Sequence, residues 1–112
     1  MKKLALAFAF AGLLFLSAAV FAEEHAMAAL EHANAAVVAG KAGHALTLVE
    51  HSKLALEHTL AASIVAHGVP KTHLDAAAGE LQESIDHGNL EHADVATKHA
   101  VAAVEHIKAS KQ

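Results

Sequence analysis

The stretch HALTLVEHSKLALEH, residues 44–58, repeats a histidine every seven residues and contains no glycine or proline. Alanine, leucine, glutamate and lysine fill most of the positions between the histidines, and these residue types favour the α-helix. Seven residues make about two helical turns, so His44, His51 and His58 fall along one side of the predicted helix. The stretch therefore predicts a helix with a histidine face.

The same pattern continues on both sides of this stretch, interrupted by turn residues. Glycine and proline cluster at three points, residues 40–43, 68–70 and 88–89. Between them we expect four helices, at about 24–39, 44–67, 71–87 and 90–109. Such short connections make neighbouring helices antiparallel, so the fold class is all-α, an up-down-up-down antiparallel four-helix bundle.

The two halves of this bundle resemble each other. A shift of 48 residues superposes His25 on His73, Gly40 on Gly88 and His51 on His99. The sequence thus predicts a duplicated αα-hairpin. Thr72 is the expected N-cap of the third helix, and Gly40 and Gly88 are the expected C-terminal cap glycines.

Placing residues at 100° per step predicts the apolar face of each helix. The expected core residues are Ala29, Leu30, Ala33 and Val37, then Leu48, Val49, Ala55 and Leu56, then Leu74, Leu81 and Ile85, and finally Ala93, Ala100, Val101 and Val104. In all four helices the histidines fall to the same side of that face. We therefore expect them at the rim of the core and not within it.

Residues 1–22 are predicted to be a secretory signal peptide, and residues 23–112 to be the four-helix body. Lys2 and Lys3 precede a long uncharged run, which ends at Ala22 with small residues where signal peptidase cuts. An uncleaved membrane anchor is the alternative, because the run is just long enough for a thin bilayer. Either way the body is delivered outside the cytoplasm, and no later segment is expected to insert stably into a membrane.

The composition excludes several functions. The 112 residues include 11 histidines but no cysteine, tryptophan or tyrosine, and the net charge is −4 with histidine neutral. Residues 23–112 are net-negative and contain no phenylalanine, tyrosine, tryptophan or arginine, so nucleic acid is not an expected partner. Absence of cysteine removes disulfides, thiolate zinc sites, iron–sulfur clusters and thiol nucleophiles. Metalloprotease, di-iron Glu-x-x-His and phosphate-loop motifs are also missing, so we expect a binding protein and not an enzyme.

Helical register predicts which side chains face each other across neighbouring helices. Histidines seven residues apart are separated by about 10.5 Å along one helix, too far to share an ion at metal–nitrogen distances near 2 Å. Antiparallel pairing about the turns instead brings together His25 with His58, His32 with His51, His73 with His106, Glu80 with His99, and His87 with His92. Acidic residues that directly precede histidines are expected to complete these sites: Glu31, Glu50, Glu57, Glu91 and Glu105.

Imidazole and carboxylate ligands without thiolate suit divalent Cu, Ni, Zn, Co and Fe ions, of which Cu(II) binds tightest. We expect several ions per chain, a monomer, and uptake that weakens below about pH 6 as protons compete. A haem-binding or electron-transfer bundle and a structural amphipathic protein are the alternative functions. Solvated surface histidines or a proton buffer would explain the histidines without any metal.

The C-terminal block resembles a known family. Residues 92–100, HADVATKHA, and 103–110, AVEHIKAS, are similar to the small metal-binding protein (SmbP-type) family of bacterial periplasmic proteins, as are the turn GKAGH at 40–44 and EHSK at 50–53. The resemblance implies a four-helix bundle that binds several divalent metals reversibly, copper prominent among them, for buffering, scavenging or tolerance. This chain departs from the pattern in having Glu80 where the repeat would allow histidine.

Overall fold

The computed structural model describes the chain from residue 2, and its side chains from residue 18, to residue 112. Four helices follow one another, and no strand occurs in this described part: α1 (Lys2–Lys41), α2 (Ala45–Val65), α3 (Gly68–Asn89) and α4 (Ala93–Ser110). Each helix packs against the next, and α4 packs back against α1. The two- and three-residue connections make these neighbours antiparallel, which confirms the predicted four-helix bundle.

Helix α1 begins far before the predicted residue 24. It runs without interruption through Ala22 and Glu23, the residues that flank the predicted cleavage point. The predicted signal peptide lies mostly outside the residues whose side chains are described, and it stays a prediction. Over the described residues, no helix is both long and apolar enough to cross a membrane.

Alanine forms most of the bundle core. Eleven of the eighteen buried apolar side chains are alanine, and the larger ones are Leu48, Val49, Leu74, Leu81, Ile85, Val104 and Ile107. Small side chains let the helices approach closely, but each removes little apolar surface from water. The predicted core face was wrong at Val101, which is 39% exposed, because Ala103 and Ile107 fill the buried face of α4 instead.

Gly40 and Gly88 are not the cap glycines that the sequence predicted. Both lie inside their helices and are buried. A Cβ atom at Gly40 would lie 2.7 Å from Leu48 Cδ1, and one at Gly88 would lie 2.5 Å from Val49 Cγ2. Both positions require glycine because a neighbouring helix passes too close for a side chain.

The two hairpin turns close with the same hydrogen bonds, three residues after these glycines. His44 N–H donates to Ala39 O at 2.9 Å and Gly43 N–H to Gly40 O at 3.0 Å. The second turn repeats this Schellman pattern with donors His92 and Glu91 and acceptors His87 and Gly88, at 2.9 and 3.0 Å. The duplication therefore extends to the backbone of the turns.

Helix α3 starts at Gly68 and not after Thr72. Pro70 lies in the first turn, where a missing N–H breaks no helical hydrogen bond. Thr72 is already helical, and its hydroxyl donates to Gly68 O at 3.2 Å. The prediction of Thr72 as an N-cap was therefore wrong, since Pro70 is accommodated within the helix.

Candidate metal centre

Most of the histidines lie along two strips, one between α1 and α2 and one between α3 and α4, which we call the α1/α2 seam and the α3/α4 seam. Eight of them are half-buried: His25, His32, His51, His58, His73, His87, His99 and His106. The other three, His44, His67 and His92, are exposed and lie at helix ends. For these eight half-buried histidines, the placement confirms the predicted position at the rim of the core.

Two pairs of rings meet across the α1/α2 seam. His25 Nδ1 lies 2.9 Å from His58 Nδ1, and His32 Nδ1 lies 3.3 Å from His51 Nδ1. In each pair one nitrogen donates its proton while the other offers its lone pair. The structure thus brings together both pairs that register predicted for the first hairpin.

The four rings of this seam also contact one another in a continuous row. The ring centroid of His58 is 5.1 Å from that of His25, with the rings tilted by 33°, and 5.9 Å from that of His32, with the rings parallel to within 1°. The ring centroid of His51 lies 5.5 Å from that of His32. We call this set, His25, His58, His32 and His51, the imidazole column.

The α3/α4 seam repeats one of these pairs and changes the other. His73 Nδ1 lies 3.2 Å from His106 Nδ1, as the duplication predicts. Two helical turns further along the seam, His99 Nδ1 donates to Glu80 Oε2 at 2.7 Å. The ring and the carboxylate are 29% and 32% exposed, so this contact is partly shielded from water. A carboxylate therefore replaces one imidazole in the second hairpin.

His87 contacts more than its predicted partner His92. Their ring centroids are 6.0 Å apart, and no hydrogen bond joins them among the described contacts. His87 stacks closer on His99, at 5.4 Å and 8°. Its Nε2 also lies 3.7 Å from Glu83 Oε2, one helical turn earlier on α3.

Glu83, His87 and His99 form the most compact set of potential ligands. Each offers one atom, and the three atoms lie within 4.8 Å of one another. No other such group of three was found in the part of the chain that the structure describes. Glu83 was not among the predicted ligands. Its signal is the four-residue spacing to His87, which puts both side chains on one helix face.

The acidic residues that directly precede histidines point away from the seams. Glu31, Glu50, Glu57, Glu91 and Glu105 are all exposed. None of the hydrogen bonds or ion pairs of the described residues joins one of them to a histidine. Consecutive helical residues are about 100° apart, so a carboxylate beside an inward-facing ring turns to solvent.

These contacts define a class of protein: an all-helical bundle whose helix interfaces carry imidazole and carboxylate groups within reach of a shared metal ion. The chain belongs to the small metal-binding protein family, whose family model matches residues 1–110. That match confirms the resemblance drawn from the sequence, and the family is one of metal-binding proteins and not of enzymes. A search of curated proteins found no match.

Proposed function

We propose that this protein binds and buffers divalent transition-metal ions in the periplasm, with Cu(II) the preferred cargo. The supporting observation is the set of paired ring nitrogens across the seams, which are 2.9 to 3.3 Å apart. Two nitrogens that each bind an ion at about 2 Å are at most about 4 Å apart. The pairs are therefore already within the span that one ion needs.

The donor chemistry favours Cu(II) over the other divalent ions. Nitrogen and oxygen ligands bind Cu(II) tightest in the first transition row. The chain has no cysteine, and Met27, the one methionine of the predicted mature body, is 55% exposed and offers no soft site by itself. The donor set therefore supports Cu(II) and not Cu(I).

Partial exposure of the ligands supports a role in exchange and not in permanent storage. The ring pairs are half-buried at the rim, so an ion can reach them without opening the core. Each pair is completed within one bundle, so we take a single chain as the binding unit. Reversible capture of this kind fits scavenging or metal tolerance outside the cytoplasm, where residues 1–22 would direct the protein.

Calorimetric titration of the mature chain with Cu(II), Ni(II) and Zn(II) tests this proposal. We expect more than one Cu(II) per chain, and at least one fewer when His25, His32, His51 and His58 are all changed to Ala. The matched control changes His44 and His67, which are exposed, to Ala and should keep the stoichiometry. Binding below one ion per chain, or no loss in the fourfold variant while circular dichroism shows it folded, would contradict the proposal.

A further inference from the structure

The duplicated hairpins differ in their ligands, and most of the difference lies on one helix. The shift of 48 residues aligns His51 of α2 with His99 of α4, so these two positions carry the same ring. On the other helix of each hairpin, three positions change from α1 to α3: His32 to Glu80, Ala35 to Glu83, and Ala39 to His87. The α3/α4 seam therefore gains two carboxylates and one ring that the first hairpin lacks.

The side chains introduced by these three changes all lie close to His99. Glu83 and His87 approach it from α3, and their ligand atoms lie with that of His99 inside 4.8 Å. The two α3 residues are four apart, so they share one face of a rigid helix. The set of two imidazoles and one carboxylate is thus held by two packed helices.

Glu80 fixes the orientation of the His99 ring. Because His99 Nδ1 donates to Glu80 Oε2 at 2.7 Å, the neutral ring keeps its lone pair on Nε2. A carboxylate in this position also makes the ring a stronger ligand, as is common for metal-binding histidines. Glu80 is therefore a positioning residue for the set and not a member of it.

One atom of His87 lacks a partner. His87 Nδ1 is buried and makes no hydrogen bond in the described structure. A buried polar atom without a partner is unfavourable, so it calls for an explanation. No hydrogen bond to Nδ1 therefore fixes the position of the ring proton, so His87 can present a lone pair to an ion from Nε2, the nitrogen that faces Glu83.

The equivalent place in the first hairpin offers no such set. A shallow groove there is lined by Ala35, Ala39, His44 and His51, among others. His51 and His44 are the counterparts of His99 and His92, but alanine stands where Glu83 and His87 stand in the second hairpin. Any ion held by Glu83, His87 and His99 therefore has no counterpart site between α1 and α2.

We propose that Glu83, His87 and His99 form a separate metal site, chemically different from the imidazole column, which favours Zn(II), Co(II) or Fe(II) more than the column does. This inference rests on the proposed metal-binding function. Two histidines and one carboxylate are a ligand set that divalent iron and its neighbours accept, and exchanging imidazole for carboxylate lowers the preference for Cu(II) over these ions. One chain would then carry two classes of site with different selectivity.

Titration of the full mature chain with Co(II), followed by its visible d–d absorption, tests this inference. We expect a visible absorption that saturates at one Co(II) per chain, and we expect Glu83→Gln and His99→Ala each to abolish it. The matched control is His51→Ala, which removes the repeat counterpart of His99 and should leave the Co(II) signal unchanged while lowering Cu(II) uptake. Circular dichroism of each variant shows whether the bundle is intact.

Glu80→Gln gives a second, milder variant. It keeps the size of the side chain and its contact with His99 but removes the charge, and we expect about 10- to 100-fold weaker Co(II) binding with unchanged stoichiometry. Glu31→Gln, at an exposed carboxylate of the first hairpin, is its control.

Equal loss of the Co(II) signal in His51→Ala and His99→Ala, or a full signal in Glu83→Gln, would overturn the inference but leave the proposed function standing. Failure of the wild-type chain to bind any of the metals would overturn both.

Discussion

Glu91 occupies in the second hairpin turn the position that Gly43 occupies in the first, and both have left-handed backbone, with φ of 61° and 80°. The turn hydrogen bonds are the same in both hairpins, so the geometry is imposed by the way each helix ends. Glycine adopts this conformation freely, whereas a residue with a Cβ atom is strained in it.

Changing Glu91 to Gly should therefore stabilise the protein by about 1 kcal/mol. Urea denaturation followed by circular dichroism measures the free energy of unfolding. The matched variant is Gly43→Ala, which should destabilise by a similar amount although its Cβ would meet nothing within 4 Å. A Glu91→Gly protein no more stable than the wild type would show that the turn is not strained.

Gly88→Ala should destabilise the bundle by about 1–3 kcal/mol, because the added Cβ overlaps Val49 at the contact of α3 with α2. Gly79→Ala is the control on the same helix. Gly79 is exposed, and a Cβ there meets nothing within 4 Å, so alanine should stabilise by up to about 1 kcal/mol. Thermal melts of the two variants should shift in opposite directions, and shifts of the same sign would contradict the close approach at Gly88.

Ser84→Ala should cost more stability than Ser52→Ala. The two hydroxyls are buried 3.1 Å apart, and Ser84 also donates to Ala96 O at 2.9 Å. Loss of Ser84 leaves the Ser52 hydroxyl buried without a partner, at about 1–3 kcal/mol, whereas loss of Ser52 leaves Ser84 still bonded. Chemical denaturation of the single variants and of the double variant should rank Ser84→Ala lowest in stability.

Bound metal should raise the melting temperature. An alanine-rich core buries little apolar surface, and an ion that binds only the folded state adds about 2.7 kcal/mol per site when its free concentration is 100 times Kd. Calorimetric melts with and without Cu(II), and after addition of a chelator, measure the effect. In the variant with His25, His32, His51 and His58 all changed to Ala, Cu(II) should raise the melting temperature less than in the wild type. A rise equal to that of the wild type would show that the stabilising ion binds outside the α1/α2 seam.

The cross-helix pairs could be predicted from the sequence because a helix has a fixed rise and a short turn fixes the register of its neighbour. His25 with His58 and His99 with Glu80 follow from counting residues on either side of the turns. Glu83 was not predicted, because the expected carboxylates apart from Glu80 directly precede a histidine, whereas Glu83 lies four positions before His87.

The glycines show why other details could not be read from the sequence. Gly40 precedes a turn, and a glycine there is compatible with a helix cap or with a close helix contact. Only the positions of Leu48 and Thr97 distinguish the two, and those depend on how the helices pack. The prediction of Thr72 as an N-cap was wrong for a related reason, since the sequence does not show that α3 already begins at Gly68.

The glycine contacts also bear on how such a chain could arise. Gly40 of α1 faces Thr97 of α4, and Gly88 of α3 faces Val49 of α2, so the shift of 48 residues maps one contact onto the other. A single hairpin that paired with its own copy would form both contacts as a symmetric homodimer. Both subunits of such a dimer have the same sequence, so every substitution of a metal-binding residue occurs in both halves. Fusion of the two copies into one chain removes that constraint, and it allows Glu80, Glu83 and His87 to change one half while the other half keeps its imidazoles.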